Sequence, residues 1–388
     1  MNETLTIFWL NAILFAVAAV LCYLLTQLFI RVSYWFDLLD YPTDRKKHAH
    51  PTPFLGGVSI FVSFWTVVFL GIWATYFFNH EIHRSETLRQ ILSQVLRLSP
   101  KLIGIFLGSL VILMVGLADD KFHWKPLEKL IGQMIAALIL MKFGVTVNLI
   151  AEFGVLGYVI TFVWILLIIN AFNFIDSLDG HCAGIAIISC TMFFWLAQII
   201  DQPMVGLFLI SFAGILIGFF PNNFKPAKIF LGDNGSLLVG YMMAAFTLLC
   251  RYQSPRTSYV TFFIPVLMFG VPIYDTLSVI VARLSRGTPP WEGDRNHFAH
   301  RLVKIGMGDR AAVIFSYFVA FTIGHVAILT TQVSAFGEVL IAIIFVSIIG
   351  VIAFLEFYAA HRIRLMEQLA KKGNRRRTDI WQNKESGS

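Results

Sequence analysis

Uncharged apolar runs of 18 residues or more recur along this chain, and few folds can hold them. A run of that length is long enough, as a helix, to cross the hydrocarbon of a bilayer, where a helix also satisfies its own backbone groups. Of the 388 residues 57% are hydrophobic and only 14% charged, with a mean hydropathy of +0.74. These figures exclude disorder and a coiled coil, and they predict an all-α, polytopic transmembrane helical bundle. The spans fall at about 5–30, 54–77, 102–118, 128–146, 157–174, 182–199, 204–220, 235–250, 259–282, 311–330 and 337–359. Eleven spans would put the termini on opposite sides of the membrane.

The basic residues give the orientation. With loops after odd-numbered spans assigned to one side together with the C-terminal tail, 23 of the 30 Lys and Arg residues fall there and 7 on the other side. Positive residues collect in the cytoplasm, so the N-terminus is expected outside and the tail inside. The net charge of +7 is read the same way, as orientation and not as a nucleic-acid surface. Met-Asn-Glu-Thr at the start has no positive n-region and no cleavage pattern follows it, so the first span is expected to be retained. Residues 1–360 read as one transmembrane catalytic domain, and 361–388 as a basic cytoplasmic tail without order. Residues 78–101 read as a short surface helix outside. The four cysteines have neither disulfide-framework nor zinc-site spacing.

The richest polar stretch is Asn170-Ala-Phe-Asn-Phe-Ile-Asp-Ser-Leu-Asp-Gly180, at the end of an apolar run. A carboxylate at the bilayer centre costs about 2.5–3.5 kcal/mol on insertion scales, so Asp176 and Asp179 need water, a cation or a partner. Asn170, Asn173, Asp176 and Asp179 recur every three residues. Neighbours in that series can share a helix face, and Gly180 favours a break close by.

Other polar motifs fall on the same predicted side. Asp119-Asp120 are adjacent carboxylates, which repel unless a cation or proton lies between them. Ile229-Phe-Leu-Gly-Asp-Asn-Gly-Ser236 sets Asp233 between glycines, with Ser236 able to begin a helix whose N–H groups face an anion; an ordinary Asp/Asn/Gly turn reads equally well. Carboxylates without sulfur ligands favour a hard, octahedral ion that also binds phosphate: magnesium, with manganese as the alternative. The long 283–310 loop carries Arg295, His297, His300 and Arg301, donors suited to phosphate. Near the start, Asp44-Arg-Lys-Lys-His48 precedes Pro53-Phe-Leu-Gly-Gly57.

Taken in order, His48 with Pro53–Gly57, Gly116-Leu-Ala-Asp-Asp120, Asn170–Gly180, Phe230-Leu-Gly-Asp-Asn-Gly-Ser236 and Asp294-Arg-Asn-His-Phe-Ala-His300 resemble the motifs of the polyprenyl-phosphate N-acetylhexosamine-1-phosphate transferases. The likeness runs from about Asp44 to Arg310 and lies closer to the branch using UDP-GlcNAc than to the muramoyl-pentapeptide branch. It implies a multi-pass enzyme of the bacterial inner membrane with a cytoplasm-facing site. The implied reaction has undecaprenyl phosphate displace UMP from a UDP-N-acetylhexosamine, beginning a cell-envelope glycan. By the same resemblance Asp233, with Asp120, would hold Mg2+ (or Mn2+), and Asp119, Asp120, Asp176 and Asp179 would be catalytic. His48, Asn170, Asn173, Arg295, His297, His300 and Arg301 would bind substrate. A homodimer is compatible with this reading.

Three motifs depart from the family pattern. Ser177 and His181 alter the usual Asp-Gly-x-Asp-Gly-Leu, Ala299 stands where many members carry a histidine, and Phe54 stands where arginine is expected. The competing class is a secondary transporter with a cation and anion site. Transporters place such groups near the midplane, often in repeated halves; this chain shows no internal repeat and keeps its acids at span ends.

Overall fold

The computed structural model describes residues 3–42, 50–77, 86–147, 154–252, 263–289 and 297–331, with short runs between 333 and 354. Helices form over the apolar runs: α1 Glu3–Trp35, α2 Gly56–Phe77, α3 Glu86–Phe122, α4 Pro126–Lys142, α5 Val155–Ile175, α6 His181–Ile199 and α7 Pro203–Asn223. These are followed by α8 Gly232–Leu249, α9 Ile264–Met268, α10 Gly270–Leu284, α11 Phe298–Lys304 and α12 Asp309–Leu329. The only extended pairing among the described residues is a ribbon of β1 (Leu39–Asp40) and β2 (Thr52–Pro53), antiparallel with Leu39 opposite Pro53.

Seven helices, α1, α2, α3, α5, α6, α7 and α12, are long and apolar enough to cross a membrane, and the protein is a multi-pass membrane protein. The other predicted spans fall short of those criteria for local reasons. Helix α4 has 17 residues, and α8 spends its first turn on Asp233 and Asn234. The stretch predicted as one span over 259–282 breaks at Phe269, because Gly270 costs helix entropy and Pro272 lacks the N–H that would join the two turns. The last span lies only partly within the described residues, and residues 361–388 lie outside them. The separate surface helix expected over 78–101 is corrected: from Glu86 onward the chain is one 37-residue helix, Pro100 included, that runs on into the predicted third span.

Helix α8 is the pillar of the bundle. Every residue from Asn234 to Leu249 is buried, and α2, α3, α5, α6 and α7 all pack against it. Such an all-round apolar helix is stable only when surrounded. Its close neighbours have small residues at the contacts: Gly116 of α3 faces the Asn234 backbone so tightly that a Cβ has no room. Helices α3, α5 and α7 end, and α4, α6 and α8 begin, at one end of the bundle. There Lys225 pairs with Asp309, and Arg310 donates to the Lys225 carbonyl at 2.9 Å, tying the α7–α8 connection to the start of α12.

Candidate active site

The site is built where those helices change direction. Asp119 and Asp120 occupy the last turn of α3, which ends at Phe122. Pro126 sits at the first position of α4, with its fixed φ suited to a helix start. The first turn that follows turns Lys129 back toward α3. Its Nζ donates to Asp119 Oδ2 at 3.0 Å and to Asp233 Oδ2 at 2.8 Å, and all three side chains are largely screened from water. From α5, Asn173 Nδ2 donates to Asp233 Oδ1 at 3.0 Å and to Ser236 Oγ at 2.9 Å. Asp233 is thereby held by a cation on one oxygen and an amide on the other.

Asp120 does something different. Its two oxygens accept the backbone N–H groups of Asp233 and Asn234, both at 2.9 Å, and the Asn234 amide at 2.6 Å. The carboxylate therefore caps α8 from another helix and meets the positive end of its dipole. The sequence reading had Ser236 beginning this helix; the helix begins four residues earlier, at Gly232, and the anion at its N-terminus is Asp120. Asn234 also donates to the Phe54 carbonyl at 2.6 Å, and Phe230 N–H donates to Pro53 O at 2.8 Å. The Pro53–Gly57 segment is so stitched to the same corner. Phe54 is buried, which is compatible with its apolar character where arginine was expected.

Asp176 follows the end of α5. Loss of water around it pushes its carboxyl well above the usual carboxylate range, and the charges of Asp233, Asp120 and Asp179 add to the shift. Asp179 accepts the Ala227 N–H at 3.2 Å. Gly180 then takes a left-handed φ of 77° that lets α6 start, and its carbonyl accepts the Tyr317 hydroxyl at 2.6 Å.

Asn170 lies one turn earlier and faces elsewhere. Its amide exchanges hydrogen bonds with Gln133 of α4, at 2.6 and 3.3 Å, and donates to Leu166 O at 2.8 Å. The histidine motif reaches the end of α5: the His297 ring meets Phe174, the neighbour of Asn173, edge-on at 5.8 Å between centroids, and the Arg283 guanidinium lies 5.4 Å from the Phe174 ring. His297, His300 and Arg301 form or flank α11, and Ala299 is fully buried there. His48 and Arg295 lie outside the described residues.

Three participants escaped the sequence reading. Lys129 counted only as a topological charge, Gln133 was not singled out, and Asp275 was passed over although an acid inside the apolar run Gly270–Ile280 is itself a functional signal. Among the described residues no three acid, histidine or cysteine side chains form a ready-made metal cage. The donor set is nonetheless all oxygen, and the crowding of Asp176 by three other carboxylates suits a hard divalent ion that takes its remaining ligands from water and phosphate.

A bundle of membrane-crossing helices with an acid, lysine and amide cluster at one end defines a polytopic membrane protein whose charged cluster suits anionic ligands and hard cations. Residues 102–251 match the family described as glycosyl transferase family 4. It is 29% identical over 351 residues to a probable undecaprenyl-phosphate N-acetylglucosaminyl 1-phosphate transferase of Bacillus subtilis, covering 87% of this chain and 90% of the relative. A decaprenyl-phosphate N-acetylglucosaminephosphotransferase of Mycobacterium leprae is 29% identical over 327 residues, covering 77% and 78%. A phospho-N-acetylmuramoyl-pentapeptide-transferase of Limosilactobacillus reuteri is 36% identical, but over 162 residues, 36% of this chain and 49% of its own.

Proposed function

We propose that the protein transfers GlcNAc-1-phosphate from UDP-GlcNAc to undecaprenyl phosphate, releasing UMP and starting a cell-envelope glycan. The observation that carries this reading is the pairing of Lys129 with Asp119 and Asp233 beside Asn173 and Asp176. Two anions must meet for phosphoryl transfer, and such a site supplies a fixed cation next to carboxylates suited to a metal. The relatives' names agree with it.

On this reading Mg2+ is held by Asp233 with Asp176 alongside, and Mn2+ substitutes. Bound there, the ion would neutralise charge on the diphosphate of the donor. Asp120 would place Asp233 through the start of α8 and lie beside the metal with it. Asp119 orients Lys129, and it orients the acceptor phosphate more than it deprotonates it, since a phosphate monoester is largely ionised near pH 7. Asn173 and Asp179 hold the donor side of the site. His297, His300 and Arg301, together with His48 and Arg295, bind phosphate.

Eleven spans, an external N-terminus and a cytoplasmic tail in the bacterial inner membrane complete the proposal, with the catalytic domain over 1–360. An amphiphilic acceptor suits a site at the end of the bundle, where lipid and water both reach; a transporter would carry these groups nearer the middle. The test is UMP release by the purified protein in detergent with magnesium, UDP-GlcNAc and polyprenyl phosphate. Asp233→Asn should remove most turnover while expression holds. Wild-type turnover in that variant, or equal turnover without any divalent ion, would overturn the metal assignment.

A further inference from the structure

Asp275 is the sixth residue of α10, fully buried, and takes no part in the acid cluster. Burying a carboxylate among apolar side chains is costly unless donors meet it. Here all the donors come from the histidine motif. His297 Nδ1 lies 2.8 Å from Oδ2, the Phe298 backbone N–H donates to Oδ1, and Arg301 Nη2 lies 3.9 Å from Oδ1. Arg301 is also fixed by Ser278, one turn along α10. A carboxylate supplies no proton, so Nδ1 is the protonated nitrogen and Nε2 is left as the ring's ligand atom.

The same ring touches Phe174, whose neighbour Asn173 holds Asp233. The geometry points to Asp275 as a positioning residue that acts through His297: it sets the tautomer and the angle of the imidazole and pins the start of α11 beside the acid site. This rests on the proposed transferase reading, which it deepens. With Nδ1 held by Asp275, the Nε2 edge of the ring is turned to the side where the phosphate groups of the nucleotide-sugar would lie. The other groups around His297 and Phe174 are His300 and Arg301 on α11, Arg283 on α10, whose guanidinium lies over the Phe174 ring, and His181 at the start of α6, which lies within electrostatic reach of Asp275, His297 and His300.

A double-mutant cycle on the full chain in detergent tests this. Asp275→Asn keeps an acceptor for the Phe298 N–H but opposes Nδ1 with an amide N–H. It should lower kcat/KM for UDP-GlcNAc about 10- to 100-fold, and His297→Ala should lower it at least as much. The double variant should be no worse than His297→Ala alone. Equal losses from Asp275→Asn with and without His297 would show a role independent of the ring and overturn the assignment, as would wild-type kcat/KM in Asp275→Asn. If Asp275→Asn does not fold, His297→Asn decides: its amide can still donate to Asp275 but has no Nε2, so it should fold as wild type and be impaired like His297→Ala. Wild-type turnover in His297→Asn would overturn the proposal. A wild-type protein that releases no UMP would instead sink the transferase reading itself.

Discussion

Asp120 receives both the backbone N–H and the side-chain amide of Asn234, at 2.9 and 2.6 Å, so the acid that closes α3 is the cap of the buried helix α8. Asp119, one residue earlier, instead receives Lys129. Two adjacent carboxylates thus perform separate work, one holding the pillar of the bundle in register and the other facing the Lys129 ammonium.

That division predicts different phenotypes for the same chemical change. Asp120→Asn keeps one acceptor but loses the charge facing the helix dipole, and a lost cap costs about 0.5–2 kcal/mol. The variant should melt measurably lower in detergent, followed by intrinsic fluorescence, as well as lose turnover. Asp119→Asn should lose turnover with the melting temperature of the wild type. A stable Asp120→Asn protein would remove the capping role.

Lys129 should be as sensitive as the acids it joins. Removing one preorganised charge from a phosphoryl-transfer site costs on the order of 100- to 1000-fold in kcat. Lys129→Met should fall in that range in the UMP-release assay. Lys129→Arg keeps the charge but replaces a compact ammonium by a planar fork, and should recover only part of the loss. Full activity in Lys129→Met would separate the Asp119–Lys129–Asp233 chain from the reaction.

Asn170 and Asn173 sit one helical turn apart and should behave oppositely. Asn170→Ala leaves the buried Gln133 amide unpaired, at a cost of about 1–3 kcal/mol, and loosens α4 from α5. It should lower the melting temperature while leaving KM for UDP-GlcNAc unchanged. Asn173→Ala frees Asp233 and Ser236 and should impair turnover with little loss of stability. An Asn170→Ala protein of normal stability and raised KM would restore Asn170 to the substrate site.

Much of this was legible in the chain because two signals are strong. Long apolar runs give helices, and several acids at span ends on one predicted side point to a site, which is how Asp119, Asp176, Asp179 and Asp233 come to be grouped. What stayed hidden depends on how side chains turn in space. The period-three spacing groups Asn170 with Asn173, yet a helix rotates them about 60° apart, enough to send one to Gln133 and the other to Asp233. Lys129 looked like any cytoplasmic charge, because nothing local says that the α3–α4 turn folds it back over Asp119. The break at Phe269 was written in Gly270 and Pro272, but the hydrophobicity of 259–282 outweighed it.

The tightest packing at the site gives the last prediction. Gly116 lies one turn before Asp120 and meets the Asn234 backbone with no space for a Cβ. In Gly116→Ala the added methyl must push α3 away from α8, and overpacking of a well-filled contact costs about 1–3 kcal/mol. The displacement falls on the bonds from Asp233 and Asn234 to Asp120, whose length is set by that same approach. Turnover should therefore drop together with the melting temperature although no functional group has been removed. Suppression by a second, volume-reducing change is blocked, since the opposing atoms are backbone. A Gly116→Ala protein with wild-type turnover and stability would mean that α3 and α8 can separate without disturbing the acids, and that the cap is not what holds Asp233 in place.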